Sequence, residues 1–158
     1  MDNAMQHHIV VDPINIDFEH GSQLFEYWEM KRGDRSRPCW TDLDLMDIYR
    51  IAPYMTVKDV IDDGMEFINR FYGSGLTTIL GFDNTGKSLS EAYSSEAYDL
   101  IINVCRKAFN SLKPLQSNGP IVWAENKEYR NYSCLYLPLD SANGLPAHLI
   151  SVFDFDVH

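Results

Sequence analysis

Apolar and polar positions change rhythm three times along the chain. Residues 1–20 hold one short apolar patch, Ile9 to Val11, and then the polar DPINIDFEH, a pattern expected of a loosely attached arm. From Ser22 the period becomes helical: Leu24, Phe25 and Trp28 share one face, Tyr27 and Met30 sit at its edges, and Gly33 ends the run. RGDRSRPCW is a basic, proline-containing connector. DLDLMDIYRIAPY then reads as a short helix stopped by Pro53, with Asp42, Asp44 and Asp47 near the end that a helix dipole makes favourable for carboxylates.

After Pro53 the rhythm turns to β. MTVKDVIDDGMEFINRFYG is two strand-like runs around Asp62-Asp63-Gly64, a hairpin signature. Short helical pieces follow at Leu76 to Leu80 and Ser88 to Ala92, then a longer helix from about Glu96 to Leu112 with Tyr98, Ile101, Ile102, Cys105 and Phe109 at helical spacing. GPIVWAEN, EYRNYSCLYLPL and AHLISVFDF are expected strands, with turns around Lys127 and at Asp140 to Gly144. The order β-β-α-α-α-β-β-β predicts an α+β fold with a five-stranded antiparallel sheet. We divide it into an arm (1–20), a helical cap (21–54) and a core (55–158).

Strict alternation puts Phe67, Asn69 and Phe71 on one face of their strand and Ile68, Arg70 and Tyr72 on the other. Leu135 and Leu137 oppose Cys134 and Tyr136, and Phe153 and Phe155 alternate with Val152. Both faces of the sheet are therefore largely apolar and need cover. The Leu24/Phe25/Trp28 helix is the expected second cover.

Composition narrows the function. The 158 residues are 45% hydrophobic, enough for one core, and carry a formal net charge of −10, which repels nucleic acids and anionic membranes. Cys39, Cys105 and Cys134 are odd in number and widely spaced, which suggests neither a disulfide framework nor a zinc site. The opening residues lack the pattern of an export signal and no apolar run is of membrane-spanning length, so a soluble, cytoplasmic protein is expected.

One stretch points elsewhere. Gly81 to Ser88, GFDNTGKS, fits the phosphate-loop pattern G-x-x-x-x-G-K-[ST], in which backbone N–H groups cradle phosphates. A nucleotide hydrolase of that kind is built chiefly on parallel βαβ units, whereas the hairpin after Pro53 makes an antiparallel sheet. Leu149 to Asp154 imitates the accompanying apolar-run-plus-aspartate strand, and Asn126-Lys127 a guanine motif, but Tyr129 stands where the latter needs an aspartate. The nucleotide-hydrolase reading is kept only as a remote alternative. GFDNTGKS is read instead as a helix end at Gly81, a turn at Asn84-Thr85-Gly86 and a helix start at Lys87-Ser88.

SQLFEYWEMKRG, RPCWTDLDLMDIYRIAPYMTVKDV, GMEFINRFYGSGL, GFDNTGKSLSE and YLPLDSANG closely resemble successive segments of a family of small bacterial PAS-domain proteins. The resemblance runs from about Ser22 to Phe155. It implies the PAS fold, with helices on one face of the sheet and the N-terminal helix on the other. It also implies a sensory or protein-interaction role in signalling, exercised by enclosing a small molecule or by pairing with another protein. Flanking helices in PAS proteins commonly mediate dimers, so Leu24, Phe25 and Trp28 are the expected homodimer interface. A further signalling protein is the implied recipient of any signal.

The resemblance raises the question of a cofactor, and the residues supply none. Haem-binding PAS domains commonly use an axial histidine on or near the long helix; His7, His8, His20, His148 and His158 all lie outside Glu91 to Leu112. Flavin photosensors of this fold carry an Asn-Cys-Arg-Phe-Leu-Gln box where this chain reads TTILGFDN. Neither haem nor flavin is expected. His7-His8 on an arm is read as polar surface, and Asp62-Asp63 and Asp154/Asp156 have no pocket around them. No catalytic or metal-binding constellation is assembled, so a non-enzymatic domain with an unknown small ligand is expected. Its candidate lining is Asn69, Arg70, Phe71, Thr78, Tyr98, Ile102, Trp123 and Tyr136. Arg70, a charge within an apolar strand, needs a partner: Asp59, Glu66, a helix carboxylate, or an anionic ligand. The alternative is a pure interaction module whose interior is filled by its own side chains.

Overall fold

The computed structural model describes residues 7–124 and 130–156. Its frame is one sheet of six strands: β1 (His8–Val11), β2 (Met55–Ile61), β3 (Glu66–Tyr72), β4 (Leu115–Pro120), β5 (Asn131–Asp140) and β6 (Pro146–Phe155). Their spatial order is β1-β4-β5-β6-β2-β3, and every pairing within the sheet is antiparallel. Helix α1 (Glu19–Arg32) covers one face, while α2 (Ser74–Leu80), α3 (Leu89–Ala92) and α4 (Ser95–Ser111) cover the other. Among the described residues no helix is long and apolar enough to cross a membrane.

Three elements differ from the sequence expectation. The sheet has six strands rather than five because Ile9–Val11, expected in a loose arm, pairs with β4 as an edge strand, from His8↔Asn118 to Val11↔Leu115. A β-branched run beside an open sheet edge supplies the ladder that the edge lacks. The fourth strand, expected at GPIVWAEN, is instead Leu115–Pro120, followed by one more bond from the Ile121 N–H to the Arg130 carbonyl. Its polar side chains are individually bonded: Gln116 to Asp17, Ser117 to the Tyr132 hydroxyl, Asn118 to Ser133. The expected turn around Lys127, the end of GPIVWAEN and the start of EYRNYSCLYLPL lie outside the described residues.

The expected Asp42–Pro53 helix is instead three 3₁₀ turns, Trp40–Asp42, Leu45–Ile48 and Ala52–Tyr54. Side chains here compete for the backbone. Asp42 accepts from the Cys39 N–H, Asp44 accepts from the Met46 N–H, and the Tyr27 hydroxyl donates to Asp47 while accepting from the Asp44 N–H.

The two-sided sheet produces two cores. Beneath α1, Leu24 and Trp28 pack on Met55, Val57, Leu135, Leu137, Ile150 and Val152. The Trp28 indole donates to the Pro138 carbonyl at 2.9 Å, and Arg37 bonds Asp140 at 2.7 Å, tying the connector to the end of β5. Leu24 and Trp28 are thus spent on the chain's own sheet, and Phe25 is half-buried with its ring stacked on Trp28. The apolar face on which the expected homodimer rested is therefore already covered.

Leu24 is wholly buried, so Leu24→Ala is expected to cost about 2–5 kcal/mol by denaturant unfolding. Met30→Ala, at an exposed position on the same helix, is expected to stay within about 0.5 kcal/mol. Equal costs at the two positions would contradict the packing of α1 on the sheet.

Candidate functional site

GFDNTGKS is a structural turn pinned to β3. Gly81 closes α2 with a left-handed φ of 92°, and its N–H bonds the Thr77 carbonyl. The Gly86 N–H donates to the Asn69 carbonyl at 2.7 Å, and the Asn69 N–H donates back to the Lys87 carbonyl at 3.0 Å. Ser88 caps α3 in a reciprocal pair with Glu91. The backbone groups that a phosphate loop would aim at a nucleotide are used inside the fold, and the sheet is antiparallel, which overturns the nucleotide-hydrolase alternative.

A bulge decides which side chains face the helices. β2 and β3 pair Val57 with Phe71 but Lys58 with Asn69, so Arg70 is an extra residue on β3. One extra residue reverses the alternation beyond it. Tyr72 therefore joins Phe67 and Asn69 on the helix side, and Phe71 turns to the α1 side. Arg70 lies exposed and bonds Asp59 at 2.8 Å; the same carboxylate oxygen is 2.8 Å from His148 Nδ1.

Between the sheet and the helices lies a cavity of about 30 Å³, counted as space open to the centre of a water-sized sphere, enough for roughly two waters. Its floor is Thr56 and Lys58 of β2, Tyr72 of β3, Ser117 of β4, Tyr132 and Tyr136 of β5 and Phe153 of β6. Leu76 and Leu80 of α2, Tyr93, and Leu100, Ile101 and Val104 of α4 form the roof, with Trp123 beside them. Trp123 stands edge-on to Tyr132 at 4.7 Å between ring centres.

Lys58 is the unusual member. Its side chain is buried, 4% exposed, and it forms no salt bridge among the described residues. Nζ donates to Thr56 Oγ1 at 2.9 Å, Thr56 Oγ1 shares a hydrogen bond with Ser151 at 2.6 Å, and Nζ lies 6.0 Å from the Tyr136 ring centre. Burial lowers the lysine's pKa, because the ammonium loses its water without gaining a counter-charge. Burial also pushes the Cys105 thiol up to about 11 and the Cys134 thiol and Tyr72 phenol further, leaving all three neutral. The Tyr72 hydroxyl is buried and makes no hydrogen bond to a described residue.

Of the eight lining residues expected from the sequence, Trp123 and Tyr136 border this cavity. Asn69 is buried on the same sheet face, with neither amide atom bonded within the described residues, but it lies off the cavity wall. Ile102 is core beside the lining Ile101, and Tyr98 is half-buried against the same cluster. Thr78 is exposed and donates to the Ser74 carbonyl. Phe71 and Arg70 point elsewhere, for the reason the bulge gives. His7 Nδ1 bonds the Tyr132 hydroxyl at 2.9 Å, so it is not the free polar surface expected of it. Lys58 was missed, although MTVKDVI carries the signal: Thr56, Lys58 and Val60 share a face, and the argument applied to Arg70 applies equally to Lys58.

Methionine matches the lysine stem without the charge. At neutral pH Lys58→Met is expected to raise the melting temperature, by about 2–4 °C for each kcal/mol of burial cost removed. The folded pKa is lowered, so between that value and the ordinary 10.5 the unfolded chain binds more protons here and the parent's stability rises with pH. The advantage of Lys58→Met is therefore full below the folded pKa and shrinks as pH climbs through this window. Melting of both proteins from about pH 6 to about pH 9.5 measures it; a gap independent of pH would contradict the burial argument.

The geometry has relatives. Among solved structures, an RNA-binding Light-Oxygen-Voltage receptor is similar with a TM-score of 0.49 and 12% identity, over 94% of this chain and 38% of that one. A sensory box histidine kinase/response regulator from Burkholderia thailandensis E264 is similar with a TM-score of 0.37 and 8% identity, over 71% of this chain and 84% of that one. The chain thus spans well under half of the first of these proteins. No curated protein matches it. A family model described as a PAS domain matches residues 17–153, which takes in α1 and most of the sheet and its helical cover, and the chain belongs to that family.

Proposed function

We propose that this PAS domain is a sensory module that holds a small molecule in the cavity between its sheet and α2–α4. It acts by binding rather than by catalysis, and passes the state of the cavity to a signalling protein inside the cell. The observation that supports this most directly is the pairing, on one cavity wall, of a buried lysine whose ammonium has no counter-charge and a phenol hydroxyl with no hydrogen bond among the described residues. An interior packed only for stability has no use for a lysine and a phenol that lack, among the described residues, a counter-charge and a partner respectively. The walls that a ligand would displace, α2 and α4, are also the layer through which occupancy reaches the surface. Homodimerisation through α1 is not part of the proposal, because Leu24 and Trp28 are buried in their own chain.

A second reading, the pure interaction module, is favoured by the cavity's size, since about 30 Å³ leaves the interior nearly filled by its own side chains. Native mass spectrometry of the purified protein and a thermal-shift screen of small metabolites separate the two. A ligand at a hundredfold excess over its Kd is expected to add about 2.7 kcal/mol of stability. Val104→Phe, which fills the cavity from α4, is expected to abolish that shift while the far-ultraviolet circular dichroism is unchanged. No retained molecule and no shift across the screen would favour the interaction module.

A further inference from the structure

We infer that Lys58 and Tyr72 form the polar end of this cavity and that its ligand is a small monocarboxylate; the inference rests on the sensing role proposed above. The argument begins with which hydrogen-bonding capacity is already used. Thr56 Oγ1 is engaged by both Lys58 and Ser151, and the Tyr132 hydroxyl by Ser117 and His7. Two residues on the wall hold unfilled donors: Lys58 carries three N–H donors when protonated and uses one among the described residues, and the Tyr72 hydroxyl, which can also accept, uses none.

Among the described residues the groups facing Lys58 offer no negative charge. They are Cys134 and Tyr136 from β5, Cys105 from α4 and the amide of Asn69, which pairs with Lys58 from β3; the amide is neutral, and burial holds the two thiols and the phenol neutral. The neighbouring Asp59 is turned to the other side of β2, where it serves Arg70 and His148. A cation would meet the Lys58 ammonium, and a neutral acceptor leaves that ammonium uncompensated. A carboxylate supplies both the charge and two acceptor oxygens, one for each donor. The rest of the wall, Leu76, Leu80, Ile101 and Val104, suits a short apolar tail. With room for about two waters, the head and the first carbons are the parts that fit before α2 and α4 must yield. An anion entering beside a lysine of lowered pKa also draws a proton onto it, so affinity is expected to fall as pH rises.

The test is an NMR titration of the full chain at neutral pH with butanoate and its neutral twins, butanamide and butan-1-ol. The same probes are applied to Lys58→Met, Tyr72→Phe and Val104→Phe. Butanoate is expected to bind at least about tenfold more tightly than either twin, and Lys58→Met to weaken it by about ten- to a hundredfold. Tyr72→Phe is expected to weaken butanoate by about fivefold, with little effect on butan-1-ol. Twins that match butanoate, or butanoate binding untouched by Lys58→Met, would overturn the carboxylate assignment. If Val104→Phe still blocks those twins, the sensing cavity itself survives that result. Failure of all three probes also overturns the assignment, and a Val104→Phe-sensitive hit in the wider screen then decides whether the sensing role stands.

Discussion

Strands β2, β5 and β6 carry apolar side chains on both faces, and a sheet of that kind holds together only if each face is covered. Burying one large apolar side chain is worth about 1.5–3 kcal/mol, so α1, which places Leu24 and Trp28 on the sheet, is part of the fold and not an appendage. The 3₁₀ turns that follow α1 bring Ile51 under the same face, and the Arg37–Asp140 pair fixes the connector to the end of β5. On the opposite face the cover is three helices, two short ones and the longer α4. That face is less uniformly apolar: Thr56, Lys58, Asn69, Ser117 and Ser151 are all buried on it.

The two faces differ in what they bury. Leucines and valines dominate the α1 side, where cohesion suffices. The helix side retains a lysine whose charge burial penalises and a phenol with no bonded partner among the described residues, costs that selection for stability alone removes. The bulge at Arg70 belongs to the same design, since it turns Tyr72 toward the cavity and sends the guanidinium out to Asp59.

Much of this was legible in the sequence, and the failures have identifiable causes. Helical spacing located α1, α3 and α4, and the Asp62-Asp63-Gly64 turn located the first hairpin. The Gly81 and Gly86 positions of GFDNTGKS are left-handed turns, as their residue types suggested. Alternation failed at Arg70 because a bulge inserts a residue without changing composition, so Phe71 was assigned to the wrong face and Tyr72 lost. β4 was misplaced because hydrophobicity marks Ile121 to Trp123, whereas the ladder runs through Gln116, Ser117 and Asn118, whose side chains are bonded rather than solvated. Lys58 escaped because its burial depends on long-range cover by α4 and β6, which no local window reports.

The central claim is that Lys58 is a buried amine at the wall of the cavity, with no carboxylate partner among the described residues. The most direct measurement is the pH titration of its side-chain ε-carbon by NMR, assigned by comparison with Lys58→Met. The account predicts a midpoint below the ordinary 10.5, separated from the protein's other lysines. A Lys58 signal that titrates together with the exposed lysines near that value would contradict it.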